Sequence, residues 1–103
     1  TGMEFGVAVE HGLKIRSVVC DNGIYGTIRM HQEREFPGRV EATNMRNPDF
    51  AAWARSYGAQ AFTVDSDAQF PDALSAARAV EGPALIHLKL DPRDIAPGRT
   101  IDA

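Results

Sequence analysis

Apolar positions along the chain fall alternately into helix-like and strand-like groups. Thr1 to His11 carries Met3 and Val7 at helical spacing, with Phe5 beside them. Gly12 then stands where a helix ends on positive φ without steric cost. His11 falls in the last turn, where a cation suits the negative end of the helix dipole. Ile15 to Cys20 reads as a strand. Its Val18-Val19-Cys20 run is apolar on both faces, which predicts a central parallel strand covered by helices on each side. Tyr25 to Glu35 is helical in pattern, with Ile28 and His31 or Gln32 at helical spacing. Glu33 to Asn47 is polar, holds a Pro37-Gly38 turn and has no period. It predicts a long loop, of the kind that is functional or mobile in compact domains.

Asn47-Pro48-Asp49 opens the next helix, with Asn47 as cap, Pro48 at the first helical position and Asp49 at the positive end of the dipole. Phe50, Trp53, Ala54 and Tyr57 form its apolar face, and Gly58 ends it. Gln60 to Val64 is a short strand. Asp65-Ser66-Asp67 caps an alanine-rich helix over Ala68 to Val80, with Pro71 in its first turns and Gly82-Pro83 after it. Ala84 to Leu90 is the last strand, stopped by Asp91-Pro92. His87 alternates there with Ile86 and Leu88 and reads as a satisfied or surface strand histidine rather than a catalytic one. Strands alternating with helices predict an α/β three-layer sandwich with a parallel sheet.

Composition narrows the function. At 103 residues the sequence is one domain or part of one. It enters a helical pattern at once and without an initiator methionine, which predicts a piece of something longer. The net charge is -3 and the arginines are dispersed, so no basic face for nucleic acid is expected. No stretch reaches the ~20 apolar residues that span a bilayer. Cys20 is the one cysteine, which excludes an internal disulfide or a thiolate zinc cluster. It suits a reducing cytoplasm, the expected location, and is expected to be a small buried strand residue.

The chemistry gathers where the first strand stops, at Asp21-Asn22-Gly23-Ile24-Tyr25-Gly26. Ligands of open α/β sheets bind beyond the carboxyl ends of strands. Asn22 offers a neutral carboxamide oxygen, a hard ligand for magnesium or calcium. Gly23 and Gly26 let the backbone bend so that a carbonyl between them turns inward. The following helix points free N–H groups at any nearby anion, and the Tyr25 hydroxyl can reach a phosphate. Taken alone, Asn-Gly also fits a plain strand-to-helix turn. The G-x-x-x-x-G-K-[ST] and G-x-G-x-x-G phosphate loops, a nucleophile elbow and a metal-binding His-x-x-x-His are all missing.

"VVCDNGIYGTIRMHQ" resembles the second half of the cofactor-binding motif of thiamine-diphosphate-dependent enzymes, which begins Gly-Asp-Gly and ends Asn-Asn. "GMEFGVAVEHGLKI" is similar to the helix between the two halves. "REFPGRVEATNMRNPDFAAWARSYGAQAFTV" and "GPALIHLKLDP" resemble the continuation in the acetolactate synthase and benzoylformate decarboxylase branch. The resemblance implies that residues 1–103 are part of a C-terminal thiamine-diphosphate-binding domain. Asn22 would give its side-chain oxygen to Mg2+ and Ile24 its backbone carbonyl to the same ion. Tyr25, Gly26 and Thr27 would line the diphosphate, and Ile28 would approach the thiazolium and the substrate.

Two departures stand out. Asp21 replaces the first asparagine of the pair, and the Gly-Asp-Gly half, with its carboxylate ligand, is not in this sequence. The resemblance therefore implies a chain that is inactive by itself and carries no catalytic residue. The parent would act on 2-keto acids as a carboligase or decarboxylase, with the thiazolium as electron sink. It would be a homodimer or homotetramer in which a neighbouring subunit lends its pyrimidine-binding domain. Ile28 is apolar where similar pyruvate decarboxylases carry a glutamate, which favours a carboligase or another decarboxylase branch. The competing expectation is a non-catalytic remnant used for subunit contact.

Overall fold

A helix-forming N-terminal segment followed by short strands and alanine-rich helices gives the chain order α1 (Glu4–Glu10), β1 (Arg16–Asp21), α2 (Gly26–Glu35), α3 (Phe50–Ser56), β2 (Gln60–Val64), α4 (Phe70–Ala79), β3 (Ala84–Lys89), β4 (Asp94–Ala96) and β5 (Arg99–Thr100). A computed structural model describes residues 2–101. They form two compact units, one from residues 2–21 and 48–89, the other from 22–47 and 90–101.

The first unit is a parallel sheet in the order β1-β3-β2. Side chains alternate across β3. Leu85, with Ala61 of β2, packs under Ala51 and Ala54 of α3 and against Phe5 of α1. Ala84 and Ile86, with Val64 of β2, pack under Ala77 of α4. The result is the expected α/β three-layer sandwich with a parallel sheet. The central strand, however, is β3 and not the one ending at Cys20. Val18 and Cys20 pair with Ile86 and Leu88, on the face where α4 lies over β2 and β3. At the edge of the sheet, Val18 stays 45% exposed and Cys20 is exposed, which overturns its expected burial. A Val-Val-Cys run reports two apolar faces and says nothing about which strands lie alongside.

Arg16 at the start of β1 closes the far end of α4. Its guanidinium donates to the carbonyls of Val80 and Gly82, the latter at 2.7 Å. Helix α1 ends at Gly12, φ 63°, with Leu13 N–H on the Ala8 carbonyl at 2.9 Å. Its inward residues are Phe5 and Ala8, whereas Met3 and Val7 point outward. Phe5 meets Trp53 at 5.5 Å and Trp53 meets Tyr57 at 5.3 Å between ring centroids. A Cβ on Gly6 would lie 2.8 Å from the Tyr57 ring, so glycine is required for this approach.

The α3 cap is Asp49 rather than Asn47: its Oδ1 accepts from Ala52 N–H at 3.0 Å, satisfying an orphan donor of the first turn. Pro48 consequently precedes the helix. Ala51 joins Ala54 in the core, and Tyr57 serves as C-cap. A 3-10 turn at Asp67–Gln69 leads into α4.

In the second unit α2 runs to Glu35 with no buried residue. The antiparallel pair β4–β5 was not expected from the sequence. It turns through Pro97 and Gly98, φ 72°, the residue pair that suits a type II turn. No helix among the described residues is long and apolar enough to cross a membrane.

Candidate functional site

Asn22 is the first residue after β1, and its side chain shapes the turn. Asn22 Oδ1 accepts from Ile24 N–H at 3.2 Å, an Asx-type turn. Gly23 takes φ 68°, open to glycine without strain. A Cβ on Gly26 would come within 3.0 Å of Asn22 Nδ2, so glycine leaves room for the carboxamide.

The segment read as an aperiodic loop is in part a paired strap. Ile24 forms an antiparallel bridge with Asn44. Tyr25 N–H donates to the Thr43 carbonyl at 2.8 Å, and Met45 N–H donates to the Gly23 carbonyl at 2.8 Å. These bonds flank the bridge, so Ile24 occupies the non-hydrogen-bonded position of an antiparallel pair. Its own N–H and C=O therefore point away from residues 43–45. The N–H meets Asn22 Oδ1. The Ile24 carbonyl and the Asn22 carboxamide oxygen thus lie on one side of the chain, while the Ile24 side chain is buried at 7% exposure.

Helix α2 begins at Gly26 with no side-chain cap and no acidic residue in its first turn. Its leading N–H groups are accordingly open to an anion. Tyr25, Thr27 and Ile28 are exposed around this helix start. Of the predicted residues, Asn22 and Ile24 lie in the turn, Tyr25 is the helix N-cap, and Gly26, Thr27 and Ile28 open α2 directly after it. Hard oxygens like those of Asn22 and Ile24 suit Mg2+, which normally completes its shell with carboxylate, phosphate or water oxygens. Among the described residues no group of three His, Cys, Asp or Glu is placed to hold a metal ion. The oxygens that Asn22 and Ile24 offer at this turn are both neutral.

Asp21 has a different partner. Its Oδ2 lies 2.8 Å from His87 Nε2, and the two side chains are 12% and 3% exposed. The imidazole and the Phe50 ring stand nearly perpendicular, with centroids 5.1 Å apart. His87 is a buried strand histidine only half satisfied, not fully as expected: its Nε2 is engaged by Asp21 and its buried Nδ1 has no hydrogen-bond partner. The aspartate at the first motif position is thereby part of a cross-strand pair inside the sheet unit.

Residues to which the sequence analysis gave no part in the site hold the strap. Gln32 Nε2 donates to the Glu41 carbonyl at 2.9 Å, Thr43 Oγ1 donates to Gln32 Oε1 at 3.3 Å, and Arg29 Nη1 donates to Asn44 Oδ1 at 3.3 Å. Their one visible signal was Arg29 and Gln32 sharing a helix face three residues apart.

Residues 1–88 match the family model described as "Thiamine pyrophosphate enzyme, C-terminal TPP binding domain". The chain is 28% identical over 102 residues to an acetolactate synthase of Arthrospira platensis, covering 92% of this chain and 18% of that protein. It is 30% identical over 95 residues to the catabolic acetolactate synthase of Raoultella terrigena, covering 91% and 17%. Against the Bacillus subtilis acetolactate synthase it is 29% identical over 94 residues, covering 91% and 16%. The chain thus spans less than a fifth of the length of the relatives it matches. It belongs to the thiamine pyrophosphate enzymes, as a C-terminal TPP-binding domain of the acetolactate synthase-like branch.

Proposed function

We propose that this chain provides the magnesium and diphosphate clamp of a thiamine-diphosphate-dependent enzyme acting on 2-keto acids, an acetolactate synthase-like carboligase or a related decarboxylase. The observation that supports it most is the turn itself: Asn22 Oδ1 and the Ile24 carbonyl on one side of the chain, immediately before an uncapped helix start. In this reading Asn22 and Ile24 bind Mg2+. Tyr25, Gly26 and Thr27 line the diphosphate, whose charge the α2 N–H groups favour. Ile28 presents an apolar, half-exposed side chain toward the reacting end and limits water there.

Thiamine diphosphate, when bound, supplies the electron sink for making or breaking the bond beside the keto carbon. The chain's part is to bind and orient. A carboxylate from an upstream Gly-Asp-Gly segment would complete the metal shell. The pyrimidine-binding domain of a neighbouring subunit, in a dimeric or tetrameric parent, would supply the acid-base group. The half-site has a consequence for the chain alone: it should take up neither cofactor nor metal tightly. Calorimetry that found micromolar, magnesium-dependent thiamine diphosphate binding by residues 1–103 would contradict this.

The direct test is cofactor loading of the parent enzyme. Asn22→Ala removes an inner-sphere oxygen and should weaken magnesium-dependent uptake by tenfold or more, about 1.4 kcal/mol per tenfold. Tyr25→Phe removes at most one hydrogen bond, worth about 1 kcal/mol, and should have the smaller effect. Equal dissociation constants for the two variants would overturn the assignment.

A further inference from the structure

The bonds that aim the Ile24 carbonyl come from outside the motif. Thr43 is the link: a polar residue only 2% exposed, it accepts from Tyr25 N–H through its carbonyl and donates to Gln32 through its hydroxyl. Gln32 uses both ends of its carboxamide, Nε2 on the Glu41 carbonyl and Oε1 for Thr43. Arg29, one turn earlier on α2, adds a third point of attachment through Asn44. Between Glu41 and Thr43 sits Ala42 at φ 58°, the one non-glycine residue in the left-handed region among those described. Alanine is disfavoured there and persists where its surroundings over-determine the backbone. Here the Gln32 carboxamide grips the residues on either side of it.

We propose that Gln32 and Thr43 are positioning residues: Gln32 latches the strap 41–45 to α2, and the latched strap sets the direction of the Ile24 carbonyl. This rests on the reading of that carbonyl as a magnesium ligand. The mechanism is geometric. With the strap latched, the Gly23 carbonyl and Tyr25 N–H are taken up by Met45 and Thr43, and the Ile24 carbonyl is turned to the side on which its own N–H meets the Asn22 oxygen. With the latch cut, the backbone of residues 23–25 is free to rotate, and the ligand must be ordered by the metal itself.

Three variants of the parent enzyme test it: Thr43→Val, which keeps the shape and loses the hydroxyl; Thr43→Ser, which keeps the hydroxyl and loses the methyl; and Gln32→Leu. Two readouts are taken, the magnesium concentration that half-saturates cofactor loading and hydrogen exchange at the Tyr25 and Met45 amides. Thr43→Val and Gln32→Leu should raise the magnesium requirement several-fold, the scale of one or two hydrogen bonds, with turnover at saturating metal little changed. Both should speed exchange at the two amides and leave β3 amides unaffected. Thr43→Ser should behave like wild type in both readouts. A serine variant as impaired as the valine one would show that Thr43 acts by packing and would overturn the latch, as would wild-type magnesium dependence in the valine and leucine variants. If wild type itself loads no cofactor, the ligand reading falls separately. Exchange then decides the latch: unchanged Tyr25 and Met45 protection in the valine and leucine variants overturns it, and accelerated exchange sustains it.

Discussion

The two units of the chain are held by different physics. In the sheet unit, Leu85, Ile86 and Val64 are almost fully buried, and alanines of α3 and α4 let the helices approach closely from each face. In the other unit Ile24 is the one buried apolar residue among those described, and α2 buries none. Its strap is held by side-chain amides, a hydroxyl, the Arg29 guanidinium and two backbone bonds around a single bridge. Apolar burial is non-directional and yields a stable frame. Hydrogen bonds are directional and modest in net strength, so they aim groups more than they stabilise them. The turn at Asn22, proposed above as the ligand site, belongs to the hydrogen-bonded unit.

The largest effect should come from the frame. Leu85→Ala opens a cavity between the sheet and α3 and should destabilise folding by roughly 2–5 kcal/mol in urea unfolding, with all probes moving together. A loss under about 1 kcal/mol would mean the site can collapse and the contrast is weaker than drawn.

Next in size is Asp21→Leu. It leaves the buried His87 ring without its carboxylate partner, so it should lower stability by about 1–3 kcal/mol in the same unfolding experiment. The double variant with His87→Phe should recover part of that loss, because removing both partners leaves neither unsatisfied. If the two single losses simply add, the pair is not coupled.

How far these features could be read in advance follows the same division. Gly12, Gly58 and the Gln60–Val64 strand were legible because local rules fix them: a left-handed cap, a helix stop, a short β-rich run. The α3 cap slipped by two residues because Asn47 and Asp49 both satisfy the cap preference, and only the reach to Ala52 separates them. Strand order was misread at Val18-Val19-Cys20, since hydropathy encodes faces and not neighbours. The β4–β5 turn carries a local signal of its own, Pro97-Gly98, with Gly98 at φ 72°. The turn at Asn22 was legible as a turn through Asn22 and its glycines. The strap that holds it was not, because Gln32 and Thr43 are eleven residues apart and polar pairs leave no period. The Asp21–His87 pair, 66 residues apart, was equally silent.

Smaller effects probe the strap and the cap. Ala42→Gly relieves the left-handed backbone, which favours the folded state by about 1–2 kcal/mol, but adds freedom to the unfolded chain. The net should be a gain of up to about 1 kcal/mol in strap stability, read as slower exchange at Met45. Faster exchange would mean that Ala42 is not strained.

The smallest effect is at Asp49. The Ala52 N–H bond, ahead of weaker contributions, holds its carboxyl below the ordinary 3.8. A folded-state value lowered in this way stabilises above the unfolded value, and the contribution is lost as pH falls through the lowered one. Asp49→Asn keeps an acceptor for the cap and should flatten the acid limb of the melting profile slightly. An unchanged limb would contradict the cap's share in it.

The contrast between the frame and the turn at Asn22 is tested most directly by native-state hydrogen exchange on the chain of residues 1–103. Amides of β3, from Ala84 to Lys89, should exchange only through global unfolding, with a denaturant dependence matching that of the whole fold. Tyr25 and Met45 should exchange through a local opening with little denaturant dependence and clearly lower free energy. If Tyr25 and Met45 instead follow the β3 amides in both size and denaturant slope, the two regions unfold as one, and the separation of a packed frame from a hydrogen-bonded turn at Asn22 is wrong.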